Sequence, residues 1–586
     1  MTSRRNVKGK RPQASTSIKQ SWLADDIFYN GRAGSDEEIL TCCIASVGSK
    51  VSEPTMKWGK EQNSAFEGVR ENLANIFFAF CGILVERARV AATALVHRSQ
   101  KSEGGNSDGD GLEETVGAAF GGVGVGRSKP DCRRLPLPDF DIRVFYVTDN
   151  GADPSGQKDS TEALQKTITE AFAVGSAHDL DPGIPDLGGV EVHLEGGEYL
   201  ISAPLQFPAT GGGNIVIHGG TLRANETFPT DRYLLEMWSA AGIQRRSNRT
   251  VASLRDRSHH SLNCLKDYIA SYEDITIRDM MFDANFRGGG LLIVDSIRIN
   301  VENMYMSHYT TDGILVEGSH EIYIQNSYFG QFITTGASPL EKDSSGVAIN
   351  IISNDNVVSN VVIFSGAVGV QVSGQGNLLT GIHAYNKPTD LGGIGIFLQL
   401  PGYSQTRILN SYLDGTGIVA DDPAQVDISH NFFNGDAYVL LRSSKVDHSI
   451  EQVTIMNNMF AGSWRGTPIV QLDQKMGSFA FVDRTIVDQN TAYGMKLKAT
   501  VARATVSGYG RKFSTDISDR LLFPNRIQNV QYSLFVPTSN SYPRYALRSV
   551  QDNRVLVEAD CKVSGTLTVV VDQSSDILYT VGSVSA

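Results

Sequence analysis

The chain has 586 residues, 41% of them hydrophobic, and a formal net charge of −12. That length exceeds what one small core requires, so two or three structural units are expected. The acidic balance excludes a whole-chain nucleic-acid binder, and any site for a polyanion must supply its own lysine or arginine.

Residues 1–98 have mixed composition and no clear period. Their longest apolar run, Ile76 to Val85, is too short to span a bilayer. It has the length of a signal-peptide core but lies too deep in the chain for one, leaving a displaced signal segment or a buried helix. Residues 99–136 are rich in Gly, Ser and acid and read as a linker. The six cysteines, Cys42, Cys43, Cys81, Cys132, Cys264 and Cys561, show no CxxC spacing, so neither a zinc site nor a disulfide scaffold is expected. Asn-x-Thr sequons start at Asn225 and Asn248, which is permissive for a secreted glycoprotein.

The folded part is expected to begin near Asp141. Val144 and Tyr146 alternate as a first strand, and Asp153-Pro154-Ser155-Gly156 is a turn. Asp159 or Ser160 can cap a helix whose Leu164, Ile168, Ala171 and Phe172 share one face. A helix that opens a strand-rich chain would cover the exposed end of a stacked sheet. Strand, turn and strand follow in GGVEVHLEGGEYLIS, residues 188–202.

The body then repeats. A polar residue recurs at Asp279, Asn303, Asn326, Asn360, Asn410, His430 and Asn457, with Gly381 in a weaker copy. The steps are 24, 23, 34, 21, 29, 20 and 27 residues, about 25 on average, which signals a solenoid. Each unit reads as short strands and turns. Parallel coils would stack at about 4.8 Å, and the recurring asparagines are expected to form a buried ladder from coil to coil. The fold class is therefore all-β, a right-handed parallel β-helix. Its expected bounds are 137–499, after an N-terminal extension over 1–136. Residues 500–586 break the period and alternate strongly, with a hairpin turn at Asp552-Asn553. They read as a small antiparallel β cap.

Two stretches carry a family resemblance. YVTDNGADPSGQKDSTEALQKTI with GGVEVHLEGGEYLIS resembles the opening of the pectin-lyase-like superfamily, in its rhamnogalacturonase/epimerase-like group. HYTTDGILVEGSHEIYIQNS, from His308, resembles the segment that carries Asn-Thr-Asp in polygalacturonases, above all the divergent QUARTET-type enzymes of plants, which act in the pollen mother-cell wall. The resemblance covers about 140–586. It implies a secreted, cell-wall hydrolase of galacturonan-type pectin, probing its polysaccharide as a monomer with no cofactor, no metal, no nucleic acid and no membrane span. The motifs depart from the common pattern. Thr310-Thr311-Asp312 replaces Asn-Thr-Asp, neither Asp-Asp nor Gly-His-Gly occurs where those enzymes carry them, and Arg407-Ile408-Leu409 lacks the lysine of Arg-Ile-Lys.

Glycoside hydrolysis commonly uses two carboxyl groups, about 6.5–9.5 Å apart in inverting enzymes. Asp312 lies nine residues after Asn303, and Asp343 lies 17 after Asn326 in a long coil. If the excess precedes Asp343, the two share a slot one coil apart, and they are the expected catalytic pair. Asp390, nine residues after Gly381, falls three coils away, suited to hold a neighbouring sugar. His308 could orient a hydroxyl, and Lys342 and Lys387 could pair a uronate carboxylate. Two alternatives stay open. A lyase on the same fold would need Ca²⁺ held by clustered acids and a basic residue to take the C5 proton. A non-catalytic wall protein would only bind polysaccharide.

Overall fold

The computed structural model describes residues 143–574, apart from 176–177, 239–269, 334–338, 387–392, 400–404, 445–447 and 538–541. The expected extension and linker, the Ile76 to Val85 run and the Asn248 sequon lie outside the described residues. So do Lys387 and Asp390.

Short parallel strands wind coil after coil. In one arm of the large sheet, Val301 lies opposite Ile324, then come Val358, Leu379, Ile408, Ile428 and Ile455 in an unbroken column. A second arm stacks Met306, Phe329, Ile363, Ala384, Leu413, Phe433 and Phe460. A separate ten-stranded sheet closes each coil, with Leu235, Leu291, Ile314, Ile349, Val370, Ile396, Ile418 and Val439 in register. These side chains are buried and form one continuous core. Because every coil offers an aliphatic or aromatic side chain at the same slot, burial is maximal only in this register. The architecture is the right-handed parallel β-helix.

The recurring polar residue does not face the core. Asn303, Asn326, Asn360, Asn410 and Asn457 are exposed, with φ between 50° and 57°. They form the corner between the two arms, where the chain turns through the left-handed region that asparagine tolerates better than most residues. The expected buried ladder therefore sits one residue further on. Asn458 Oδ1 accepts from the Asn431 backbone N–H at 2.9 Å and from Asn431 Nδ2 at 3.0 Å, and Asn490 Oδ1 serves Asn458 in the same way. Ser411 continues the slot in the preceding coil, its N–H donating to Asn431 Oδ1.

The helix Thr161–Phe172 closes the first coil, with Leu164, Ile168, Ala171 and Phe172 in the main core. At the other end, Val501–Asp516, Asn529–Phe535 and Tyr545–Gln551 pair antiparallel with the long strand Arg554–Asp572. The turn at Asp552 and Asn553, both at positive φ, joins the last two strands as the sequence predicts. This unit has its own core but sends Leu522 and Phe523 into that of the coils. Among the described residues, no helix is long and apolar enough to cross a membrane.

Candidate active site

Asp312 opens the strand Asp312–Glu317 in the ten-stranded sheet. Ile314 and Val316 of that strand enter the coil interior, whereas Leu315 packs in a separate outer cluster with Tyr233, Leu292 and Val294. Asp312 joins this outer layer. Its Oδ2 accepts from the Tyr233 hydroxyl at 2.7 Å, and its Oδ1 accepts from Asn350 Nδ2 at 3.0 Å. Asp312 as a whole is only 9% exposed, so it lies under the outer surface rather than in an open groove. A phenol and an amide donor match the acceptor-only oxygens of an ionised carboxylate.

Four consecutive coils build this arrangement, with Asn350 on the one after Asp312. Tyr233 pairs with Gly289 in the next coil, and the strand Gly289–Val294 pairs with that of Asp312. A Cβ at Gly289 would stand 2.5 Å from the Tyr233 ring and 2.5 Å from the Asp312 carbonyl oxygen. The missing side chain lets the tyrosine ring lie across its neighbour's coil and reach the carboxylate. Tyr233 is anchored in turn. Its N–H donates to Glu236 Oε1 at 3.1 Å, and Glu236 is clasped by Arg232 through Nε at 2.8 Å and a second nitrogen at 2.5 Å. Arg232 also lies 5.6 Å from the Trp238 ring centroid. The Glu236 hydrogen bond holds the Arg232 guanidinium in its charged form, its pKa raised against the opposing effect of burial. A carboxylate so clasped is an anchor.

Two buried acceptors near Asp312, Thr311 Oγ1 and Asn350 Oδ1, have no partner among the described residues. Each such group costs about 1–3 kcal/mol unless water or a bound hydroxyl satisfies it. Beneath the site, Tyr309 donates to the Ser365 carbonyl at 3.1 Å. Burial pushes its phenol pKa up, against a Gln331 hydrogen bond and with a contribution from the Asp312 charge.

The expected partner is placed differently from the coil arithmetic. Val347, not Asp343, stands opposite Asp312 in the next coil. Ser345 Oγ meets the Thr310 carbonyl at 2.9 Å, while Gly330 stands opposite Ser307, so the extra residues of this coil, Asp343 among them, lie between these two points and outside the paired strands. The insertion in this coil is longer than expected and ends after Asp343, which is exposed at the close of the short 3₁₀ turn Pro339–Asp343. Lys342 is exposed on that turn. His308 is held by Asp283, Nδ1 to Oδ1 at 2.7 Å, with its ring 4.7 Å from that of Phe286. Burial would raise the Asp283 pKa, but the His308 hydrogen bond, the Asn285 N–H and nearby positive charge lower it. Asp421 is paired with Arg442 on the ten-stranded sheet, at 2.6 and 3.0 Å.

Tyr233, Gly289 and Asn350 escaped sequence reasoning. The one signal for them was the glycine run Gly288-Gly289-Gly290 at a strand start, a pattern that marks close backbone approach.

The chain is similar to Polygalacturonase QRT3 of Arabidopsis thaliana, with 48% identity over 432 residues, 74% of this chain and 84% of that protein. No family model matches. Among solved structures, the A-module of the mannuronan C-5 epimerase AlgE6 of Azotobacter vinelandii aligns at 13% identity and a TM-score of 0.36, covering 60% of this chain and 98% of its own. The Dettilon tailspike protein aligns at 10% identity and a TM-score of 0.41, covering 73% and 94%.

Proposed function

The chain belongs to the polygalacturonase family, and from that premise we propose that it hydrolyses galacturonan-type pectin in the cell wall. The observation that carries the reading is the 48% identity to a polygalacturonase along most of both chains. The geometry around Asp312 supports it. A carboxylate held by donors from neighbouring coils, beside two buried polar atoms without a partner among the described residues, is a place where a water can be fixed.

In this proposal Asp312 is the ionised base that activates water, and Asp343 is the proton donor. Asp343 is exposed in the free protein. Inversion at the anomeric carbon requires the two carboxyls to flank the bond at about 6.5–9.5 Å. Lys342, beside Asp343, would meet a uronate carboxylate as a point charge. His308, oriented by Asp283, would donate to a substrate hydroxyl. Lys387 and Asp390 keep their proposed roles at neighbouring sugars.

The test is incubation of the purified full-length chain with polygalacturonate, followed by product analysis. Reducing ends without unsaturated sugars, in the presence or absence of a chelator, support hydrolysis. Unsaturated products would transfer the site to a lyase. Retained polysaccharide binding with no product at all would make it a non-catalytic wall protein.

A further inference from the structure

A second chemistry stands apart from the acid site. The long strand Gly212–Ala224 ends at Asn225-Glu226-Thr227, an Asn-x-Thr sequon without proline at its centre. The structure folds this tripeptide into a tight turn. Asn225 Oδ1 accepts from the Thr227 N–H at 2.8 Å and from the Thr227 hydroxyl at 2.9 Å. The Asn225 N–H is engaged by the Ile201 carbonyl at 2.9 Å, and its carbonyl accepts from Phe228 N–H at 3.2 Å. Every other polar atom of Asn225 is therefore occupied, while the amide nitrogen has no partner among the described residues. Glu226 and Thr227 are exposed, and fully buried Phe228 pins the far side of the turn.

We propose that Asn225 is a site of N-linked glycosylation. Such a site needs an accessible turn, a hydroxyl two residues on, and an amide nitrogen free to form a new bond. All three are met here. The donor class is an oligosaccharide carried on a polyisoprenyl diphosphate. The bond between its anomeric carbon and the diphosphate oxygen breaks, and one forms between that carbon and Asn225 Nδ2. The amide gives up one proton, and the polyisoprenyl diphosphate leaves with the bonding electrons. No oxidant or reductant takes part. The asparagine side chain is not part of the core, so a bulky, solvated glycan can be carried there without disturbing the coil stack. The proposal requires passage through the secretory pathway but not catalysis by Asp312, so it stands or falls separately from the hydrolase reading.

The test is expression of the full-length chain in a plant cell, recovery from the medium, and mass spectrometry of the peptide that contains residue 225. Peptide-level readout separates Asn225 from the other sequon at Asn248. The expected result is a glycan on the Asn225 peptide of the parent, lost in Asn225→Gln and in Thr227→Ala and kept in Thr227→Ser. A secreted chain whose Asn225 peptide carries no glycan overturns the proposal. So does a chain that reaches neither the medium nor the microsomal lumen. A Thr227→Ala chain still modified at Asn225 would show that the sequon is not what is read.

Discussion

Two buried polar clusters sit on different coils of one stack and behave oppositely. At the corner, Asn431, Asn458 and Asn490 repeat one bond pattern from coil to coil. On the ten-stranded sheet, Tyr233, Asp312 and Asn350 make a set of contacts that this repeat does not account for. A polar contact that recurs with the coil is part of the scaffold, since each copy satisfies its neighbour's backbone. A buried acid outside the repeat gives the stack no such propagated benefit.

The sharpest way to break this distinction is to exchange the roles. Asn458→Leu should destabilise the fold by about 3 kcal/mol or more, because it strands the Asn431 donors, frees the Ile428 carbonyl oxygen and removes one of the two bonds to Asn490 Oδ1. Denaturant titration reads the effect, and an unchanged midpoint would dissolve the idea of a structural ladder. Asp312→Asn is expected to do the reverse. Turnover on polygalacturonate should fall at least about 100-fold, equivalent to about 2.7 kcal/mol in the barrier, with the fold retained. A variant that unfolds instead would put Asp312 with the scaffold. A companion Asp343→Asn variant with full activity would remove Asp343 from the pair.

A smaller effect sharpens the comparison. Gly289→Ala forces a methyl group against the Tyr233 ring and the Asp312 carbonyl, and should cost about 1–3 kcal/mol of stability. Its activity should fall by more than its stability explains, measured at a temperature where both proteins are folded. The smallest effect belongs to the exposed corner. Asn326→Gly should shift stability by less than about 1 kcal/mol because glycine accepts φ of 51° without strain. Asn326→Leu should cost about 1–2 kcal/mol, through backbone strain at that angle rather than a lost internal bond. Thermal melts of the two variants side by side distinguish the exposed corner from a buried ladder, which would lose partners in both.

The coils were legible because one aliphatic slot repeats in every strand, and no other register buries it. The ladder was misplaced by one residue. Asn457-Asn458 shows why: the corner asparagine and the inward one are adjacent, and the left-handed turn between the arms decides which faces in. Periodicity alone counts positions and does not see that turn. Asp312 drew attention in the sequence through Thr310-Thr311-Asp312. Its partners did not, because Tyr233 and Asn350 lie 79 and 38 residues away and meet it only across coils of unequal length. The same inequality upset the placing of Asp343. Val347 lies 21 residues after Asn326, where Asp312 lies nine after Asn303, so the coil carries twelve extra residues before its matching slot. The estimate that put Asp343 in that slot had left four of them uncounted.

The absent side chain at Gly289 has a consequence for how this sequence can drift. Tyr233, Gly289 and Asp312 occupy consecutive coils, and the space at the middle one is what joins the outer two. Their substitutions should be epistatic. A larger residue at 289 is tolerable only once the ring at 233 has gone, and after that change the hydroxyl that holds Asp312 is no longer there to be selected. The order of mutation therefore matters: the ring at 233 must go first, and a lineage that then fills position 289 has closed the path back to this acid's present setting.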